Sequence, residues 1–417
     1  MNATMKNKNM NRAYKVRLYP NMKQEEYFNK AFGCCRMVYN CMLHDRIEYY
    51  ENTGKSLSNT PKEYKDKYPF LKEIDAQALT NEQMCLNTAY KNFFTRRTKG
   101  VGFPKFKKKH DKNTFSSFQS LKINDGKLSI CKCKDIKFRA YKDIDFSSMN
   151  ICHVTIEKSK VGKYYASILV ECEEPKKLVH SNFKVGIDLG IKDFAICSDG
   201  EVIANPKYTK KYAEKLAIAQ RKLSHCRKGS NNYDKARIQV AKVYEKITNS
   251  RNDFLHKLSK KLIDENQVIA LETLKVKNML KNHKLAKSIS DCSWSTFVSM
   301  LEYKAKWYGR TILKVDTHFP SSKTCNCCGY KYDANDFNRV QWNLGIREWT
   351  CPRCHNELNR DLNASINILK QALSEGQEEP VDTVNSSSLE QECDTLCGGA
   401  ASNNYINSAN TCDFIRV

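Results

Sequence analysis

Lys184-Val-Gly-Ile-Asp188-Leu-Gly190, then Phe194-Ala-Ile-Cys197 and the turn Ser198-Asp-Gly200, is the stretch that decides the fold. Apolar residues run up to one carboxylate, and the chain then turns at a glycine. This pattern reads as a buried-type strand that opens a three-strand meander. Working outward, Val268-Ile-Ala-Leu-Glu272 is another buried strand, and it closes on an acid. Thr311-Ile-Leu-Lys-Val-Asp316 is a further strand, a helix spans about 294–308, and Asp361 opens a final helix. Two long basic helices, about 207–225 and 233–265, lie between the meander and the fourth strand.

The order of these elements is that of an RNase-H-like domain. There the first and fourth strands are neighbours and a following helix packs across them, so Asp188, Glu272 and Asp361 converge from distant parts of the chain. The chemistry served by such a trio is in-line phosphoryl displacement with two Mg²⁺ ions roughly 3.5–4 Å apart. Hard carboxylate oxygens suit Mg²⁺. Any one of the three has a plainer reading, as turn residue, strand end or helix N-cap, and the order Asp–Glu–Asp carries the specificity. A transposase of the DDE kind would end on a glutamate.

The chain ahead of this domain reads differently. Ala13–Tyr19 alternates and stops at Pro20, and apolar residues Phe28, Ala31, Phe32, Cys35, Val38, Tyr39 and Met42 then recur at helical spacing through 22–50. A second helix covers about 75–97. Strand patterns fill 120–175. A strand, a helical insert and a strand-rich return suggest a small β-barrel interrupted by helices. Between them, Gly102-Phe-Pro-Lys-Phe-Lys107 and Lys108-Lys109 expose a basic, aromatic loop. Lys105, Lys107, Lys108 and Lys109 are candidate phosphate contacts, with Phe103 and Phe106 as candidate stacking rings. Gln77, near the start of the second helix, is a candidate reader of adenine edges.

Charge points to a polyanion. The 417 residues hold 70 Lys+Arg against 46 Asp+Glu, a formal +24. Residues 374–417 contain eight acids and one base, so 69 bases and 38 acids remain on the first 373 residues, a net +31. Self-repulsion of that size is relieved by nucleic acid. The Ser/Asn/Glu-rich tail from 374 reads as disordered. No apolar run reaches spanning length, and the polar start lacks a signal-peptide core, so no membrane partner is expected. Nineteen scattered cysteines without a secretory signal favour a reducing cytoplasm.

Four cysteines stand apart. Cys325-Asn-Cys-Cys328 and Cys351-Pro-Arg-Cys354 are two C-x-x-C knuckles with 22 residues between them. Four thiolates make a closed tetrahedral Zn²⁺ site, structural in kind. Cys327 is an extra sulfur beside them.

Together these segments resemble the TnpB family, transposon-encoded relatives of the type V CRISPR nucleases. The resemblance covers nearly all of residues 12–373. It is carried by Tyr14-Lys-Val-Arg-Leu-Tyr-Pro20, Phe32-Gly-Cys-Cys-Arg-Met-Val-Tyr-Asn40, Gly102–Lys107, Gly186-Ile-Asp-Leu-Gly190 and Glu272-Thr-Leu274. Leu301–Gly309, Ser321-Ser-Lys-Thr-Cys325 and Arg360-Asp-Leu-Asn-Ala364 complete it. It implies a multidomain α/β + β chain: an OB-like barrel (11–21 and 102–180) with a helical recognition insert (22–101). A RuvC nuclease domain (181–320 and 361–373) would follow, with an inserted zinc-ribbon lobe (321–360).

The implied activity is RNA-guided cutting of double-stranded DNA beside a short motif. Asp188, Glu272 and Asp361 would hold two Mg²⁺, and Cys325, Cys328, Cys351 and Cys354 one Zn²⁺. Arg360 and Asn363 would support the last acid and the scissile strand. One chain per guide RNA is the favoured stoichiometry. Two departures bear on the lobe: Glu357-Leu-Asn-Arg-Asp361 replaces the family's His-Asp-Arg-Asp run, and His355 stands where a glycine is usual. No GxxxxGK[ST] loop signals an ATP motor, and guide–target pairing nearly balances the DNA pairing it replaces. A miniature type V CRISPR effector shares the chemistry. A non-cleaving RNA-guided regulator would lose the acids that this chain keeps.

Overall fold

The computed structural model describes residues 9–96, 100–109, 112–140, 144–146, 149–332 and 345–375. They form two compact units that divide at Glu174/Pro175.

The first unit opens with β1 (Asn9–Tyr19), which Pro20 stops, and α1 (Met22–Thr53). Asn21 and Gln24 cap α1 reciprocally, each side chain accepting from the other's backbone N–H at 2.9 Å. Next come α2 (Pro61–Lys67) and α3 (Ala76–Arg96). Strands β2 (Asn113–Ser117), β3 (Lys122–Asn124), β4 (Lys127–Ile130), β5 (Cys133–Arg139), β6 (Asn150–Lys158) and β7 (Tyr164–Glu173) follow. All seven strands join one sheet in the order β2-β6-β7-β1-β5-β4-β3.

The helices and the sheet share a single core. Phe28 and Phe32 of α1 meet Phe115 of β2 at ring-centroid distances of 5.8 and 5.5 Å, and Phe28 meets Tyr164 of β7 at 5.6 Å. Ala78, Leu79, Cys85 and Leu86 of α3 close the same cluster. The helical insert of the sequence reading is therefore not separately cored: its apolar stripe is one wall of the β-sheet core. Asp75 pins the start of α3, accepting from Gln77 N at 3.0 Å and from the Ser117 hydroxyl of β2 at 2.7 Å.

The second unit is built on β8 (Lys184–Leu189), β9 (Asp193–Cys197) and β10 (Val202–Ala204), an antiparallel meander. β11 (Val268–Glu272) and β12 (Thr311–Val315) extend the sheet in parallel, giving the order β10-β9-β8-β11-β12. The first expected basic helix is split into α4 (Tyr208–Lys211) and α5 (Ala213–Ser224). α6 (Asn231–Glu265), α7 (Val276–Met279), α8 (Ala286–Cys292) and α9 (Trp294–Tyr308) follow. β13 (Glu348–Thr350) and β14 (Glu357–Asn359) pair in a small ribbon, and α10 (Arg360–Glu375) ends the described chain. Residues 374–375 thus belong to a helix, while the rest of the acidic tail lies outside the described residues.

Side-chain alternation divides this sheet into two unlike faces. Val185, Ile187, Leu189, Ile269 and Leu271 face α6 and α9 with Phe194, Leu255, Leu262, Trp294 and Phe297. The intervening positions of β8 and β11 are Gly186, Asp188, Ala270 and Glu272. On that face Ala270 packs with Val315, Ile368 and Ala372, so α10 covers it. The absence of a side chain at Gly186 sets the approach. A Cβ there would sit inside the contact distance of the Ser365 carbonyl oxygen and 2.7 Å from Leu369 Cβ.

Gly186→Ala should accordingly push α10 off the sheet. Overpacking of this kind costs about 1–3 kcal/mol, and urea unfolding of the variant should show a lower midpoint with α10 protease-sensitive. An unchanged midpoint would mean that the helix is not seated as closely as this.

Candidate active site and cysteine cluster

The parallel register of β11 on β8 pairs Leu271 with Ile187, so Glu272 and Asp188 stand side by side one residue further on. Both lie on the face that α10 covers. Asp361 is the second residue of α10, and Asn359 turns the chain into that helix by accepting from Asp361 N at 3.2 Å and Leu362 N at 3.1 Å. The three acids foreseen from sequence are brought together at one end of the sheet.

Their electrostatics follow from that convergence. Burial first, then the charges of Glu272 and Asp361, push the Asp188 carboxyl up from 3.8 to about 7. Arg360 and Arg347 act in the opposite sense. Burial also raises Glu272. Asp361 is held by Arg347, whose Nη1 donates to Oδ2 at 2.6 Å. The sequence reading did not single out Arg347. It precedes Asp361 by fourteen residues in an irregular segment, where no periodicity or motif marks it.

Asn363 departs from its expected role. It is 1 % exposed, and its side chain is spent on the cysteine knuckle: Oδ1 accepts from Asn326 N at 2.8 Å, and Nδ2 donates to the Thr324 carbonyl at 2.7 Å. Two residues along a helix turn a side chain by about 200°, so Asn363 points away from the face that Asp361 occupies. Asn367, one turn on, donates to the Ser321 and Thr324 carbonyls at 2.8 and 2.6 Å. Arg360 reaches back along the lobe, its N–H donating to the Arg347 carbonyl at 2.7 Å and Nη1 to the Ile346 carbonyl at 3.4 Å.

The four cysteine sulfurs of the two knuckles lie within 4.8 Å of one another, a set able to hold a metal ion. Cys325 and Cys354 are 3.6 Å apart, as are Cys328 and Cys351. Burial opposes ionisation of Cys325, but the backbone N–H groups of Cys328 and Cys327 together with the Cys354 and Cys351 thiols outweigh it and hold the thiol down to about 7. Each knuckle closes with the same turn: Gly329 N donates to the Cys325 carbonyl and His355 N to the Cys351 carbonyl, both at 2.9 Å. Gly329 has φ +73° and His355 φ +58°. Replacing the usual glycine by His355 therefore keeps the turn, with a side chain accepting left-handed backbone. Cys327 is exposed and bonded to Asn326, outside the cluster. Residues 333–344 of the expected lobe lie outside the described residues.

Of the candidate nucleic-acid contacts, Lys105, Lys108 and Lys109 are exposed, and Gln77 is half-buried at the first turn of α3. Phe103 and Phe106 are 44 % and 48 % exposed. Lys107 differs from its expected role. Its ammonium pairs with the buried Glu82 carboxylate and sits 4.3 Å from the Tyr39 ring centroid. A carboxylate buried in the core needs a counter-charge, and Lys107 supplies it. Among the described residues no helix is long and apolar enough to cross a membrane.

Comparison with known proteins covers most of the chain. Residues 167–283 match the family model described as "Probable transposase" (OrfB of IS605), 294–368 match a Cas12f1-like TNB domain, and 9–55 match a helix-turn-helix model. Residues 9–55 here form a strand followed by one long helix. A protein of Streptomyces pristinaespiralis whose name describes an RNA-guided DNA endonuclease is 36 % identical over 374 residues, 87 % of this chain and 90 % of that one. The similarly named InsQ of Escherichia coli K12 is 30 % identical over 381 residues, 86 % and 91 % of the two chains. In fold, the chain resembles a Cas12f1 solved in complex with sgRNA and target DNA: TM-score 0.50, 17 % identity, 84 % of this chain and 83 % of that one.

The shifted acids set a pH dependence. In cation-free protein Asp188 binds its proton more tightly folded than unfolded, so between about pH 4 and 7 the folded state carries the extra proton. Stability should then fall as pH rises through that window. Melting in chelator should occur at a lower temperature at about pH 8 than at about pH 5, and Asp188→Asn should shrink the difference. An equal difference in that variant would refute the shift.

Proposed function

The chain belongs to the TnpB family, and on that premise we propose that it is an RNA-guided DNA endonuclease that hydrolyses target strands at Asp188, Glu272 and Asp361. The observation that carries this reading is the convergence of three carboxylates from β8, β11 and α10, close enough that burial and their mutual repulsion lift Asp188 to about 7. Like charges gathered in this way, all offering hard oxygen, fit divalent Mg²⁺. When bound, two such ions supply Lewis-acid stabilisation and a nucleophilic water for phosphodiester cleavage.

The chain's own residues prepare the site. Asp188 and Glu272 are fixed on adjacent strands, so their spacing is set by the sheet. Asp361 is fixed by the capped start of α10 and by Arg347. Arg347 and Arg360 offset part of the negative charge. Lys105, Lys108 and Lys109, with Phe103 and Phe106, offer charge and ring faces to nucleic acid. Gln77 remains the candidate base reader.

In the same reading, 11–21 and 102–180 form an OB-like wedge around the recognition helices 22–101. Residues 181–320 with 361–373 form the RuvC nuclease, and 321–360 the target-loading lobe held by one Zn²⁺ on Cys325, Cys328, Cys351 and Cys354. The partners are a guide RNA and its double-stranded DNA target. A miniature type V CRISPR effector is the second reading, favoured by the Cas12f1-like match of residues 294–368. It uses the same residues with a guide of different origin.

Asp188→Ala, Glu272→Ala and Asp361→Ala should each abolish Mg²⁺-dependent cutting while guided DNA binding persists. Losses on the scale of 10³-fold or more are expected for groups of this kind. Full cutting by any one of them would remove it from the site. Structural Zn²⁺ contributes on the order of 10 kcal/mol to small lobes. Stripping it from the intact protein should therefore expose 321–360 to protease, with the ion released stoichiometrically. A lobe that stays resistant after the metal is gone would contradict the zinc assignment.

A further inference from the structure

Residues 101–108 form neither helix nor strand, yet they are tied to the helices of the first unit at two points. Phe103 meets Tyr90 and Phe93 of α3 edge-on, with ring centroids 5.5 and 5.3 Å apart, and Pro104 beside it is buried. Three residues further on, Lys107 is clamped. Asn40 of α1 grips its backbone in both directions: Oδ1 accepts from Lys107 N at 2.8 Å, and Nδ2 donates to the Lys107 carbonyl at 2.9 Å. The Lys107 ammonium turns inward to Glu82 of α3, beside the Tyr39 ring. Lys105 and Phe106 lie between the two anchors and are exposed, as are Lys108 and Lys109 after them.

Glu82 is 3 % exposed. A buried carboxylate is costly, and an apolar residue in its place is often neutral or stabilising. What the pair adds is a fixed point. A segment without a ladder of backbone hydrogen bonds has little else to hold its shape. We propose that Glu82 and Asn40 are positioning residues: through Lys107 they hold the 101–109 loop in one conformation, so that its exposed cations and the Phe106 ring meet a polynucleotide already ordered. Ordering of side chains and loops is a large part of what association costs, and the clamp moves that loss from binding to folding. Glu82, being buried, acts only through Lys107. The inference rests on the guided-nuclease reading only for the loop's role as a nucleic-acid contact. The opposing account is that Glu82 merely withdraws one positive charge from the loop, and it predicts the opposite sign.

The test compares the full-length chain with E82Q and N40A by amide exchange and by titration with labelled oligothymidylate over a salt series. Both variants should speed exchange across 103–108 about tenfold or more, while the amides of α1 and α3 stay protected and show the fold intact. Both should weaken binding about tenfold, the scale of ordering two or three side chains. N40A changes no charge, so its log–log salt slope should remain that of the wild type. K105Q and K109Q, which remove cations from the loop itself, should each flatten the slope by about 0.7. E82Q decides between the two accounts. If Glu82 only neutralises Lys107, the freed ammonium adds a phosphate contact, binding tightens and the slope steepens by about 0.7. That result would overturn the proposal, as would wild-type exchange across the loop in both variants, or faster exchange with unchanged affinity. Unchanged slopes in K105Q and K109Q would fail the nucleic-acid reading of the loop, and the proposal with it. The exchange data, which involve no polynucleotide, tell that failure from a failure of the clamp.

Discussion

The close seat of α10 on β8 and β11 is the contact on which the second unit depends. It exists because Gly186 and Ala270 leave the sheet nearly bare where the helix backbone passes. One helix then serves three neighbours through three of its faces. Ile368 and Ala372 pack on the sheet, Asp361 meets Asp188 and Glu272 at its start, and Asn363 with Asn367 hold the Ser321–Asn326 backbone. The position of the last acid and the order of the cysteine lobe are therefore set by the same helix. Arg347 and Arg360 reinforce that link, since both bridge the lobe to the helix start.

The acids are costly in isolation. Three carboxylates at one sheet end, two of them largely removed from water, repel one another, and the fold tolerates them because packing elsewhere fixes their backbone. Such stored electrostatic cost is usual where charge is needed for chemistry. The contrast with the first unit is instructive. There the buried Glu82 carboxylate is neutralised internally by Lys107, which removes a lysine from the basic loop. Two clusters of charge differ in balance: one is settled within the fold, and in the other three carboxylates stay gathered, offset in part by Arg347 and Arg360.

The family relationship and the geometry support each other at different levels. Identity of 36 % across nearly the whole length fixes membership, while the 17 % likeness to the Cas12f1 complex speaks for the fold alone. The description of 9–55 as helix-turn-helix does not describe these residues, which supply the central strand of a seven-stranded sheet and its main packing helix.

Much of this was legible along the chain. Uninterrupted apolar runs ending in Asp188 and Glu272 signalled buried strands, helical spacing from Phe28 to Met42 signalled the face of α1, and C-x-x-C pairs signalled the sulfur cluster. Each is a local pattern, and local periodicity reports directly on which face is buried. The partners of side chains were not legible, because they depend on register and on segments distant in sequence. The sequence alone could not turn Asn363 toward the knuckle, bring Arg347 to Asp361, or draw Lys107 to Glu82. Residue types and their order determined the fold class and the acids. Only tertiary packing decided which charges meet, because charge pairing is a matter of distance across the fold rather than of spacing along the chain.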